Sequence, residues 1–143
     1  MAVWEATNQK QLSLTQLIDR PVSLSVSASG RSAFIGTENG AFLIFDVTNR
    51  SNPRLVKQMR FFEEQIPLDH VVASLNGNIL MLASSASDRV FVVSQKAKED
   101  FTIYGFIQKK GLILSLSFAM KDNELWAAAI LSNNLIQVSK LPN

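Results

Sequence analysis

The sequence predicts an all-β chain of successive four-stranded antiparallel sheets, and three observations predict it. Apolar residues come in short alternating or continuous stretches, the patterns of half-buried and fully covered strands. Turns rich in Gly, Asn, Asp and Ser separate them, as hairpins require. The whole pattern then recurs every 46 or 47 residues. No segment sustains a 3.6-residue apolar period. The nearest candidate, "NQKQLSLTQLIDR" from Asn8, spaces Leu12, Leu14 and Leu17-Ile18 as a strand with a terminal break. Four strands at this period is the spacing of a β-propeller blade, whose strands run a to d from the axis outward.

The elements follow in order. "AVWE", Ala2 to Glu5, lies 41 residues before the block holding Phe45 and is expected to be a strand c, with "QLSLTQLI" as its strand d. A whole unit comes next: "VSLSVS", "SAFIGT", "FLIFDV" and "RLVKQMRF". The second is "DHVVAS", "ILMLASS", "RVFVVS" and "FTIYGFI". The third has "LILSLSF", "ELWAAAIL" and "NLIQVS". At an offset of 47, Gly30 falls on Gly77, Ser27 on Ser74, Ile35 on Leu82, Thr37 on Ser84, Leu43 on Val90 and Phe45 on Val92. At a further 46, Gly77 falls on Asn123, Ala83 on Ala129, Val90 on Ile136 and Val92 on Val138. The turns are Ser29-Gly30, Asn76-Gly77 and Asp122-Asn123. With strands a inward, Val26, Ile35, Phe45, Leu82, Val92 and Trp126 are expected to be mostly buried, and Trp4 to pack in a core.

"TENGAFLIFDV", from Thr37, resembles the b–c hairpin of a WD-repeat blade, with Asn39-Gly40 where that family has Asp-Gly and Phe45-Asp46 where it has Trp-Asp. "SASGR", Ser27 to Arg31, resembles the family's turn after strand a, and Trp4-Glu5 its Trp-Asp pair. The sequence also departs from the family. Its Gly-His dipeptide is absent, and His70 lies about six residues too late to replace it. The Trp-Asp pair is reduced to Val92-Val93 and Val138-Ser139 in the later copies. The family's hydrogen-bond network through His and Trp is therefore incomplete, and packing between sheets has to carry more of the stability.

The expected organisation is one domain over residues 1–143, a partial propeller. Residues 1–20 end a blade, 21–62 and 68–107 form whole blades, and 111–143 form an incomplete one. Thirteen strands do not fill a seven-bladed ring. The chain is expected to be an open segment of a larger propeller, as a fragment or short isoform; the alternative is an unusual ring closed at four blades. The open edge of "NLIQVSKL" would invite self-association or a partner that supplies the missing blades, and leave the isolated chain marginally stable.

Composition removes several classes of function. The chain is 47% hydrophobic and 18% charged, a globular balance, and has no cysteine, so thiolate metal sites, disulfides and cysteine nucleophiles are excluded. Its net charge of +2 is not the dense basic face of a nucleic-acid binder. No signal peptide or membrane-length apolar run is visible, so a soluble, cytoplasmic chain is expected and the sequon Asn49-Arg50-Ser51 is expected to be unused.

No catalytic, cofactor-binding or metal-binding residue is assigned. Glu63, Glu64, Asp69 and His70 in "FFEEQIPLDH" lack a fixed ligand spacing and suit a solvated connection. A Ser–His–Asp relay through Asp69 and His70 is disfavoured because neighbours on a strand point to opposite faces. "SASG" lacks the following helix of a phosphate loop and suits a turn. Arg54, Lys57, Arg60, Lys96, Lys98, Lys109 and Lys110 fall mostly on or beside the outer strands, where they solubilise an edge or meet an acidic partner such as a tubulin tail or nucleic acid. Strands a are nearly devoid of acid–base groups, which argues against a propeller enzyme.

The resemblance implies a non-catalytic scaffold that binds other proteins. Its loose blades are similar to those of cilia- and flagella-associated WD-repeat proteins, which implies axonemal, microtubule- or dynein-linked partners and a place in the cilium. A scaffold in ribosome biogenesis or trafficking is the second binding reading.

Overall fold

The computed structural model describes residues 1–75, 77–97, 100–108, 111–122 and 124–141. Asn76 and Asn123, expected in turns, and the terminal Asn143 lie outside them. Among the described residues thirteen strands form four antiparallel sheets and none is helical. The first sheet pairs β1 (Ala2–Glu5) with β2 (Lys10–Leu14). The second runs β3 (Pro21–Val26), β4 (Ser32–Thr37), β5 (Ala41–Asp46) and β6 (Arg54–Arg60). The third runs β7 (His70–Ala73), β8 (Ile79–Ala83), β9 (Arg89–Ala97) and β10 (Asp100–Gln108). The fourth holds β11 (Ile113–Lys121), β12 (Glu124–Leu131) and β13 (Ile136–Lys140).

Each turn repeats because its hydrogen bonds repeat. Ser27 N–H donates to Ser32 O at 2.9 Å, and Ser32 N–H returns to Ser27 Oγ at 3.1 Å. Ser74 and Ile79 make the same pair of bonds at 2.8 and 3.1 Å. A serine side chain thus closes the a–b turn in both whole units. In the b–c turn Gly40 has φ +81°, which a side chain resists, and its N–H donates to Thr37 O at 3.1 Å.

The register corrects the constant offset expected along strand c. Gly36 pairs with Phe42, whereas its counterpart Ala83 pairs with Val90. The b–c turn of the third sheet therefore holds one more residue. Leu43 corresponds to Phe91 and Phe45 to Val93, so the Trp-Asp position of this unit is Val93-Ser94. In the fourth sheet Ile130 pairs with Ile136, which puts Ile130, not Ala129, at the place of Ala83, and Ser139-Lys140 at the Trp-Asp position. A slip of one residue turns a strand over. Val92 is buried nonetheless, because both faces of β9 are covered.

The sheets stack face to face as a fan with β3, β7 and β11 as neighbouring inner strands. Phe34, Phe42 and Ile44 of the second sheet interdigitate with Val71, Leu80, Leu82 and Val93 of the third. A run of rings crosses this boundary: Phe34 stacks on Phe42 at 6.3 Å, Phe42 meets Phe61 at 5.8 Å, and Phe91 meets Phe61 at 5.6 Å and Phe62 at 5.1 Å. Met81, Val90 and Val92 pack against Leu125, Ala127 and Ala129 at the next boundary. At the first boundary Met1 and Leu17 lie against Ala33, Ile35 and Phe45.

Ile35, Phe45, Leu82 and Val92 are buried as expected. Val26 is not: it is 51% exposed, because the first sheet has no inner strands to cover β3. Trp4 is 58% exposed for a related reason, since it belongs to a two-stranded sheet. Trp126 is half-buried rather than buried. The fan is open: β2 pairs with β1 and not with β13, so the four-bladed closure does not form.

Candidate functional site

Glu63 and Glu64 sit exposed in the connection between the second and third sheets. Asp69 turns inward from them. Its Oδ1 accepts the Ser85 N–H at 2.8 Å, and its Oδ2 accepts the Ser85 hydroxyl. The structure corrects the expectation that Asp69 and His70 face apart. Asp69 precedes β7 instead of lying in it, so strand alternation does not separate the pair, and His70 Nε2 comes to 3.7 Å from Asp69 Oδ1. The three side chains still do not make a nucleophile. The serine proton points at the carboxylate, whereas activation requires it to point at the imidazole. Among the described residues no group of three or more His, Cys, Asp or Glu could hold a metal ion.

Three of the basic residues share one outer strand. Arg54, Lys57 and Arg60 lie on β6, the outer strand of the second sheet. The Lys57 ammonium stands 5.1 Å over the Phe101 ring, and Arg60 donates to Asn39 O. Lys96 lies in β9. Lys98, Lys109 and Lys110 lie outside the described residues. The described residues of this set therefore include both packing and edge positions.

What the molecule offers is surface. One groove runs between the first two sheets, lined by Met1, Ala2, Trp4, Leu24 and Val26. A second, on the outer side, is lined by Leu17, Ile18, Leu43, Leu55 and Arg60, with Asn39 Nδ2 donating to Asp19 Oδ1 at 2.8 Å on its rim. Apolar floors with polar rims suit the docking of other proteins.

A pair of serines on β3 was not anticipated. Ser23 Oγ donates to Leu68 O at 2.7 Å, and Ser25 Oγ accepts the Ala73 N–H at 3.0 Å. The first reaches the connection that leads into β7 and the second reaches β7 itself. The alternation in "VSLSVS" carries the signal, since two hydroxyls two residues apart lie on one face of an inner strand.

An open fan of antiparallel sheets with interdigitated faces is the arrangement of part of a β-propeller, and comparison with known proteins gives the same fold. The structure superimposes with a TM-score of 0.79 on the β-propeller domain of Cps50 (Swd1) from Myceliophteria thermophila, at 12% identity, over 99% of this chain and 47% of that one. For the WD40 domain of SCAP from fission yeast the TM-score is 0.73 at 12% identity, over 99% of this chain and 34% of that one. A chain of a mitotic checkpoint complex matches with a TM-score of 0.68 at 18% identity, over 97% of this chain and 40% of that one. In sequence, the chain is 25% identical over 115 residues to cilia- and flagella-associated protein 43 of Xenopus laevis, a match that covers 80% of this chain. The chain spans 7% of the length of that relative. No protein-family model matches it.

Proposed function

We propose that this chain is a non-catalytic docking module, a WD-repeat propeller segment that binds other proteins within a ciliary or flagellar assembly. The observation that carries the ciliary part is the 115-residue likeness to cilia- and flagella-associated protein 43. The docking part is supported by the propeller fold and by its apolar grooves and open sheet edges. Partners are axonemal proteins linked to microtubules or dynein, reached from the cytoplasm, and the open edges also permit self-association. The blades divide the chain into residues 1–20, 21–62, 68–107 and 111–143. No catalytic, cofactor or metal site is assigned, in keeping with inner strands that carry mostly serine and aliphatic side chains and with the engagement of Asp69 by Ser85.

Affinity capture with the tagged full chain, run in parallel on ciliated and non-ciliated cells, tests this. Axonemal proteins recovered from the ciliated cells are the expected result. The same set of proteins from both sources would overturn the ciliary part. Hydrolytic turnover by the purified chain that disappears in His70→Ala would overturn the non-catalytic part.

A further inference from the structure

Two turns of the second sheet lie on the same rim of the fan, the one between β3 and β4 and the one between β5 and β6. Each is held by its own bonds. In the first, Gly30 N–H donates to Ser27 O at 2.8 Å. In the second, Asn52 N–H donates to Asn49 O and Ser51 N–H to Asn49 Oδ1, both at 3.1 Å. Val47 N–H donates to Arg31 O at 2.9 Å, which fastens one turn to the other. Three arginines gather on this frame. Arg31 follows the first turn, Arg50 sits inside the second, and Arg54 opens β6 opposite Asp46. Arg31 and Arg54 therefore flank the end of β5, with their backbones about 10 Å apart, two strand spacings.

All three arginines are exposed, and none forms an ion pair among the described residues. The acid beside them, Asp46, accepts the Thr48 N–H at 2.9 Å through Oδ1 and so serves its own turn. The repeat does not dictate this cluster. The shared bonds of Ser27 with Ser32 and of Ser74 with Ile79 put Asn78 at the place of Arg31, and the turn between β11 and β12 carries Asp122. By contrast, Arg20 on the opposite rim is already matched to Glu38 at 3.4 Å.

We propose that Arg31, Arg50 and Arg54 form a docking site for an acidic peptide, an extended run of Glu or Asp side chains supplied by a partner protein. A guanidinium fork binds a carboxylate through two parallel hydrogen bonds. Alternate side chains of an extended peptide lie about 7 Å apart, so three or four acidic residues span the distance from Arg31 to Arg54. A nucleic acid is the poorer match. Three arginines neutralise only a few phosphates, and a net charge of +2 provides no wider basic field. The inference deepens the docking reading and rests on it, but it is independent of the ciliary part. A chain that captures axonemal proteins yet ignores an acidic peptide would sink this inference and leave the ciliary reading standing.

The test is fluorescence anisotropy of a labelled oligoglutamate peptide titrated with the full chain. Saturable binding at low ionic strength that weakens as salt is added is the expected result. Arg31→Gln, Arg50→Gln and Arg54→Gln should each weaken it about two- to five-fold, and the triple variant should abolish it. All three side chains are exposed, so circular dichroism should show the variants folded like the parent. Arg20→Gln, which removes the same charge from the opposite rim, should leave binding unchanged. Absence of saturable binding, or an equal loss in Arg20→Gln, would overturn the proposal. So would tighter binding of an oligothymidylate of the same length, which would make nucleic acid the ligand. Self-association of the chain that is abolished both by the triple variant and by Glu63→Gln with Glu64→Gln would also overturn it, because a second copy would then supply the acids.

Discussion

Gly36 sets how closely the second and third sheets approach. A Cβ at this position would lie 1.9 Å from Leu68 O and 2.4 Å from Ser23 Oγ, and the carbonyl cannot give way without breaking its bond to Ser23. Gly36→Ala should therefore cost about 1–3 kcal/mol through forced backbone shifts, measured as a lower urea midpoint; an unchanged midpoint would contradict the contact. Position matters as much as residue type. Phe42→Ala should cost about 3–5 kcal/mol, because its ring is enclosed between sheets and leaves a cavity. Ile136→Ser, at the corresponding place on the uncovered face, should change the stability of the chain by about 0.5 kcal/mol or less. Equal losses for the two would mean that the fourth sheet is covered in solution.

Single strands were legible where the local chemistry decides them. A continuous apolar stretch between turn residues places β4 at Ser32–Thr37, and the serine-closed turns recur because the same side chain makes the same bonds. Register was less legible. One added residue between Ser84 and Val90 moves β9 by a position, and a constant offset does not sense it, since both faces of that strand are apolar. The exposure of Val26 and Trp4 was not legible either, for it depends on which strands stand beside them and not on their own pattern. The Ser85–Asp69 contact joins a connection to a turn 16 residues away, and no periodicity marks it. At this scale Ser25→Ala should speed hydrogen exchange at the Ala73 amide by about two- to twelve-fold, the loss of one net hydrogen bond. Unchanged exchange, resolved by NMR, would show that the serine does not hold the third sheet.

The whole molecule is a row of sheets, each deriving its burial from its neighbours. That arrangement leaves apolar groove at one boundary and an apolar face at the other end of the fan. Both are exposed apolar surfaces, while the inner strands contribute bonds between sheets more than reactive groups. The account therefore depends on face-to-face stacking of the second and third sheets through named contacts. Nuclear Overhauser spectra of the 143-residue chain test it most directly. The structure predicts cross-peaks between the rings of Phe62 and Phe91 and between the Ala73 amide proton and the Ser25 β-protons. Intact strand-pairing cross-peaks within each sheet, with these inter-sheet peaks missing, would contradict it.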